Sequence, residues 1–519
     1  MQRRDLDGLT VLSAPAPAPF TATLVFAVGR RHEAFLTGGI THLVEHLAMS
    51  AVGRPMLECN GQVQLGHTTF TATGNADDVV EVLRRLAAAL PALPVERLAT
   101  EAAVLRAEGG SYARPALGRH LAYRYGARGL GIAGFTEPTI GALDADAVTA
   151  WSNRYFVREN AVLCLSGPAP DGLDEALSAL PHGDRSQRAS DVALDIPYPV
   201  VSEGDVEEAV GLSFLAAESP ALLAGIRIAM ERAFIELRMR RGIVYHPDAD
   251  VIDVAGDTLL VLLHADPLPV HQVEAGRGLL DIVRALASDG PTAAELRGDV
   301  ARARLAVADP RAALAELDWA AADVLAGRPE HTDVERLAEL ELVTPAAVRD
   351  AFAAAAASLL VLVPGAAEAA ELELPVDDGT RGAVLQGRTY ARRLRSEAPR
   401  GSRLVIGADG LSIVLPSDTL TVRFADIIGA TMAPEGYLTI LGVDGTTMPL
   451  DRGDWRIGRA AFEHLLAQIP DAARFDREDA CGGATHRGES HAAAAVWPPT
   501  PGRSTDDLAA EPPVPAPLS

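Results

Sequence analysis

Apolar and polar residues alternate along residues 20–28 (FTATLVFAV), the two-residue period of a strand with one buried face. Gly38 and Gly39 interrupt the chain ahead of a helical stretch over Ile40–Ala51. Residues 67–73 (HTTFTAT), rich in Thr and Phe, predict a further strand. Asp77–Leu90 and Val95–Ala107 predict two helices parted by Pro91 and Pro94. Ala161–Ser166 (AVLCLS) predicts a short buried strand that stops at Gly167-Pro168, and a polar, Pro-containing linker closes this half near residue 190.

A second unit begins in a similar way. Ala209–Leu215 is strand-like, a long helix is expected from Leu222 to about Arg240, and a strand near Thr258–His264 follows. Helices over 268–287 and 293–307 come next, and the strand Leu359–Val363 ends the unit at Pro364-Gly365. Both halves read strand, helix, strand, helices, strand. Order and spacing therefore suggest an internal duplication of an α/β module.

Residues 380–475 change character. Short β-type runs (RLVIG, LSIVL, LTVRF, YLTIL, TMPL) are parted by turns such as Ala408-Asp409-Gly410 and Val443-Asp444-Gly445, and an amphipathic helix over roughly Trp455–Gln468 closes the region. In element order this region resembles a pleckstrin-homology-like (PH-like) fold. From 476 the chain is polar and rich in Gly, Ala and Pro, ends in PPVPAPLS, and is expected to be disordered. The expected organisation is two repeats over 1–190 and 195–372, a small β-rich domain over 380–475 and a disordered tail over 476–519. The fold class is α+β, with an antiparallel or mixed sheet in each repeat and helices packed on it.

Charge narrows the function. The 519 residues carry 46 basic and 70 acidic side chains, a net charge of −24, and every basic residue other than histidine is arginine. Phosphate neutralisation needs a basic footprint, so no nucleic-acid partner is expected. Residues 471–519 contribute only −4, so the acidity belongs to the body of the chain. Three scattered cysteines (Cys59, Cys164, Cys481) form no disulfide framework and point to a reducing compartment. The N-terminus leads into no apolar signal segment. The longest apolar run, Ala351 to Val363, falls short of the roughly 20 residues of a membrane span. The expectation is a soluble, cytoplasmic protein without a membrane span.

The segment that carries chemistry is Gly38-Gly39-Ile40-Thr41-His42-Leu43-Val44-Glu45-His46, which contains H-x-x-E-H. On a helix His42 and His46 are one turn apart, and Glu45 shares their face. Two imidazoles and a carboxylate so placed can bind Zn²⁺ and set a general base beside a water. By chance this pattern is expected roughly 0.02 times in a chain of this length and composition. A zinc site needs a third protein ligand. Glu101 and Glu108 lie seven residues apart, two turns of a predicted helix, so one could ligate and the other could orient the ligands.

The stretch GGITHLVEHLAM resembles the active-site helix of the insulinase/pitrilysin family of zinc metallopeptidases, which includes the mitochondrial processing peptidases, and ERLATEAAVLRAEGG resembles that family's second glutamate helix. The resemblance implies that His42, His46 and Glu108 are ligands of one Zn²⁺ per chain, that Glu45 is the base, and that Glu101 supports the site. Asn60, followed by His67-Thr68-Thr69-Phe70, resembles the family's substrate-binding edge strand, and residues 134–167 resemble the pattern that closes its first domain. FIELRMRRGIVY (Phe234 to Tyr245) resembles its LR-x-x-x-G-x-x-Y segment, which implies that Arg238 and Tyr245 hold the substrate backbone and stabilise the oxyanion. The resemblance spans roughly residues 5 to 370. It departs from the family in the short interval between His46 and Glu108, where relatives carry a helix in place of Gly53–Leu57.

The implied function is a zinc-dependent endopeptidase or oligopeptidase that cleaves extended peptides or small proteins in an enclosed cleft. The family builds that cleft from two two-domain halves, and this chain supplies one. A homodimer is therefore expected, with Arg238 and Tyr245 acting on the partner's zinc site, or else a heterodimer with a homologous subunit. The alternative is a non-catalytic peptide-binding or partner subunit.

Overall fold

A computed structural model describes residues 1–475 except 54, 56, 109–114, 187–190, 205–209, 365–368, 378–381, 417 and 434–436; the expected tail, 476–519, lies outside the described residues. Strands β1 (Gln2–Leu6), β2 (Leu9–Ser13), β3 (Phe20–Phe26), β4 (Glu58–Val63), β5 (Thr68–Gly74) and β6 (Ala161–Leu165) form one sheet in the order β1-β2-β6-β3-β5-β4. Its ladders are antiparallel except β2 with β6. Helices α1 (Ile40–Val52), α2 (Ala76–Ala89), α3 (Leu98–Glu108), α4 (Pro115–Tyr125), α5 (Ala145–Tyr155) and the single turn α6 (Leu173–Ala176) belong to this half.

The alternation in β3 does what its period predicts. Ala22, Leu24 and Phe26 face one way and join Leu43, Val44 and Leu47 of α1 and Val79, Leu83 and Leu86 of α2 in one core. Strand β6 is buried on both faces, which is why it reads as a continuous apolar run rather than an alternating one.

The second half repeats the plan. Strands β7 (Val200–Glu203), β8 (Val210–Ala217), β9 (Asp248–Ala255), β10 (Thr258–Ala265), β11 (Leu360–Val363) and β12 (Val376–Asp377) run in the order β12-β7-β11-β8-β10-β9. Five neighbouring strands in each sheet share one order and one set of directions: β2-β6-β3-β5-β4 corresponds to β7-β11-β8-β10-β9, with a single parallel pair at the same place. Helices α7 (Pro220–Ala233), α8 (Gln272–Ser288), α9 (Ala293–Ala308), α10 (Ala312–Ala326), α11 (Asp333–Glu341) and α12 (Pro345–Ala355) complete this half. The single helix expected over Leu222–Arg240 is two structures: α7 stops at Ala233, and Phe234–Arg240 continues as a π-helix.

The two halves exchange helices. From the first half, α4 lays Leu117, Leu121 and Tyr125 on Leu260 and Leu262 of β10. From the second, α10 lays Leu317, Ala320, Ala321 and Val324 on Leu12, Val25, Val162 and Cys164 of the first sheet. Buried arginines tie the same seam. Arg124 donates to the Ser213 hydroxyl (3.0 Å) and to the carbonyls of Ser213 and Ser358 (2.8 Å each), and Arg31 donates to the carbonyls of Asp253 (2.9 Å) and Val254 (2.8 Å).

The C-terminal region is β-rich. Strands β13 (Gly387–Ala391), β14 (Arg403–Gly407), β15 (Gly410–Val414) and β16 (Thr419–Arg423) form one antiparallel sheet, and β17 (Ile427–Met432), β18 (Tyr437–Gly442) and β19 (Thr447–Asp451) another. Helix α13 (Arg459–Gln468) shares their core through Phe462 and Leu465. This region docks on the first half where Phe35 meets Phe475 and Gly429, and where the Ala127 amide donates to the Val443 carbonyl at 3.0 Å.

Candidate metal centre

Burial of Leu43, Val44 and Leu47 fixes the rotation of α1 and turns His42, Glu45 and His46 toward α3, which packs beside it. The two imidazole rings lie edge to face, with centroids 4.7 Å apart. From the last turn of α3, Glu108 brings Oε2 to 4.0 Å from His42 Nε2 and 3.8 Å from His46 Nε2. Ligand atoms of His42, His46 and Glu108 all fall within 4.8 Å of one another, the group among the described residues that could hold a metal ion. Glu45 Oε2 is 3.6 Å from His42 Nε2 and 3.7 Å from His46 Nε2.

Glu101, two turns before Glu108, lies against the opposite edge of the His46 ring. Its Oε2 is 3.4 Å from His46 Nδ1, the ring nitrogen turned away from the cluster, and Arg97 holds its Oε1 at 2.6 Å. A carboxylate on Nδ1 fixes the tautomer that leaves Nε2 free to ligate.

Burial sets the electrostatics. Burial first, then the Glu108 and Glu101 carboxylates, pushes the Glu45 carboxyl up to about 8. Burial, aided by His46 and Arg30, draws His42 down to about 3, so its imidazole is neutral with a lone pair to offer. Tetrahedral zinc bonds of about 2.0–2.1 Å separate neighbouring ligand atoms by about 3.3 Å. The 3.8 and 4.0 Å gaps observed would need to close by about 0.5 and 0.7 Å. Two imidazoles and a carboxylate, with a second carboxyl group alongside, are a donor set that suits Zn²⁺.

Asn60 lies on β4, the edge strand, and is exposed. The strand's alternation puts it on the face opposite Gly61, whose backbone runs against Glu45; a Cβ on Gly61 would sit 2.6 Å from Glu45 Cδ. Between α1 and β4 only residues 53–57 intervene, the short connection noted in the sequence. Arg238 and Tyr245 are brought together, but in the other half. The Arg238 guanidinium lies 4.7 Å from the Tyr245 ring centroid and donates to the Tyr245 carbonyl, and Tyr245 is 73% exposed. The π-helical segment that carries Arg238 packs on α7 and α8, whereas α1 packs on α2, α3, α5 and β4.

The sequence reading passed over a buried cluster behind α1. Glu33 accepts hydrogen bonds from the Gly39 amide (2.8 Å) and the Thr41 amide (3.0 Å), so it caps the helix from outside. Arg30 donates to Glu33 (2.8 Å), to Glu137 (2.6 Å) and to the Phe135 carbonyl (3.1 Å). A charged Arg-x-x-Glu shortly before a glycine pair was the available signal, but no local capping box marks it.

The fold is that of M16-type (insulinase/pitrilysin) peptidase domains. The first half of the periplasmic protease PqqL from Escherichia coli matches with a TM-score of 0.55 and 14% identity, over 72% of this chain and 93% of that one; against the whole of PqqL this chain spans 54% of the length. A peptidase M16 inactive domain from Pseudomonas fluorescens matches at TM-score 0.56 and 14% identity, over 70% of this chain and 97% of that domain. A protease from Helicobacter pylori matches at 0.53 and 13%, over 70% and 98%. No protein-family model and no curated protein sequence matches the chain. No helix among the described residues is long and apolar enough to cross a membrane.

Proposed function

We infer that this chain is a zinc-dependent peptidase acting on extended peptides, with His42, His46 and Glu108 as ligands and Glu45 as general base. The observation that carries this reading is the convergence of those three ligand atoms within 4.8 Å, with Glu45 3.6–3.7 Å from both imidazoles. Bound zinc would supply Lewis-acid polarisation of the scissile carbonyl and acidify water at neutral pH. Beside the charge of bound zinc, the Glu45 carboxyl would be drawn back down from its raised value, leaving it placed to take a proton from that water and to pass it to the leaving amine. Glu101 holds His46 in its ligating tautomer. β4 is the last strand of its sheet, so its outer edge can accept an extended peptide as an added strand.

Arg238 and Tyr245 lie in the other half, with Tyr245 turned to solvent, so we assign them to the zinc site of a partner subunit, in a homodimer or in a heterodimer with a homologous chain. The free thiols of Cys59 and Cys164 fit a reducing, cytoplasmic setting.

Metal analysis of purified protein tests the reading. Wild type should bind one zinc per chain, Glu108→Gln should lose it, and Glu45→Gln should keep it while cleaving peptides at least about 10²-fold more slowly. Wild type that stays metal-free after zinc addition would sink the proposal. Zinc bound with no turnover of any peptide would favour the non-catalytic alternative, which draws support from the inactive M16 domain among the fold neighbours.

A further inference from the structure

Helix α1 has a conspicuous need at its N-terminus. Its first turn carries no acidic residue, the residue before it is Gly39 in the left-handed conformation (φ 85°), and no side chain on the helix caps it. The first amides of a helix have no partner within it and are costly to bury unsatisfied. His42 follows directly on these residues, and Glu45 and His46 lie one turn further on. Any fraying or slippage of the first turn would move the metal-facing groups relative to Glu108, which is fixed on a different helix.

Glu33 answers that need from outside the helix. Its side chain is 0% exposed; Oε2 accepts from the Gly39 amide and Oε1 from the Thr41 amide, so one carboxylate spans the helix start. A buried carboxylate requires a counter-charge, and Arg30, 1% exposed, supplies it. Arg30 is in turn fixed by Glu137 and the Phe135 carbonyl, from a loop about a hundred residues downstream. The anchor therefore ties the metal helix to the scaffold by charge-assisted hydrogen bonds at both ends.

We propose that Glu33, backed by Arg30, is a positioning residue for the metal centre, holding the first turn of α1 so that His42, Glu45 and His46 meet Glu108. The proposal rests on the reading of His42, His46 and Glu108 as zinc ligands. It is tested with Glu33→Gln in the full chain, which keeps the size but offers a single acceptor oxygen and no charge for Arg30. The control is Glu295→Gln. Glu295 is also a capping carboxylate paired with arginine, bonding the Thr292 amide (2.7 Å) and Arg232 (2.7 Å), but at the start of α9 in the other half. Zinc affinity by chelator competition, melting temperature and hydrogen exchange at Gly39 and Thr41 are read for each.

Glu33→Gln should weaken zinc binding about tenfold and speed exchange at both amides, while Glu295→Gln lowers the melting temperature and leaves zinc affinity within about twofold. If Glu33→Gln does not fold, Glu33→Asp keeps the charge but shortens the reach, and should weaken zinc binding in the same direction. Unchanged zinc affinity in the folded variant, or an equal loss in Glu295→Gln, overturns the proposal. If wild type binds no zinc, the peptidase reading fails, and the amide exchange still decides whether Glu33 holds the helix start.

Discussion

One guanidinium faces two carboxylates inside the protein. Arg30 lies 2.8 Å from Glu33 and 2.6 Å from Glu137, and all three side chains are buried. One positive charge cannot fully offset two negative ones away from water. Glu33 spends both oxygens on helix amides, whereas Glu137 Oε2 has no hydrogen-bond partner among the described residues. Burial accordingly pushes the Glu137 carboxyl up to about 7, with Arg30 opposing and Glu33 adding to the shift. A carboxyl whose folded value lies above its unfolded value binds extra protons in the native state, so stability falls as pH rises between the two. The stability of wild type relative to Glu137→Gln should be level below about pH 4.5, decline up to about pH 7, and level off again, by at most about 3 kcal/mol. Denaturant unfolding of both proteins across pH 4–8 measures it; a difference that grows in favour of wild type with pH would show that Glu137 is ionised and stabilising. At this scale the sequence was legible where chemistry follows helical spacing. His42, Glu45 and His46 share a face by counting residues, and so do Glu101 and Glu108. The Arg30–Glu33–Glu137 cluster was not legible, because its members meet only after the chain has closed a loop of 107 residues.

At the scale of elements, the closest approach in the site is between β4 and α1. The Gly61 backbone lies where any side chain would overlap the Glu45 carboxylate, so the strand can pass over the helix only because that position is bare. Gly61→Ala should push Glu45 aside without touching a ligand: zinc content stays at the wild-type level while kcat falls about tenfold or more, since small displacements of a catalytic group are costly. Wild-type kcat in that variant would show that β4 yields instead. The strand was implied by the resemblance at Asn60 and not by any hydrophobic period. ECNGQV has no apolar alternation because β4 is an edge strand with one half-buried face, so the hydrophobic period is missing although the ladder with β5 is complete. Helices α4 and α5 were missed for a related reason, their apolar residues being split by polar ones such as His120, Arg124 and Ser152 that are buried at packing seams. The π-helix after α7 was invisible because its sequence continues the helical pattern; only its hydrogen bonding, as in Arg241 to the Glu236 carbonyl, differs.

At the scale of the whole molecule, the shared strand order makes α1 and α7 equivalent: each follows the strand third in the common order and precedes the edge hairpin. One copy of the module presents His42, Glu45 and His46, and the other presents Arg238 just after its corresponding helix. If the two sets meet across a subunit interface, Glu45→Gln and Arg238→Ala chains should each be inactive alone, and mixing them in equal amounts with subunit exchange should restore about a quarter of wild-type activity, with less at any other ratio. Recovery that fails despite demonstrated exchange would place Arg238 outside the partner's site. The duplication itself was legible from element order, but the strand directions that establish it needed the ladders.

The exchange of α4 and α10 between the halves has a mechanical consequence. Each sheet is roofed by a helix belonging to the other, so neither half can swing open without stripping a buried apolar face such as Leu317–Val324 or Leu117–Tyr125. On the peptidase reading, a chamber built from this chain would not open through a hinge inside it. On the dimer reading the door is the seam between two subunits, and substrate entry becomes a matter of how often that seam parts, which dilution and interface strength would tune independently of the chemistry.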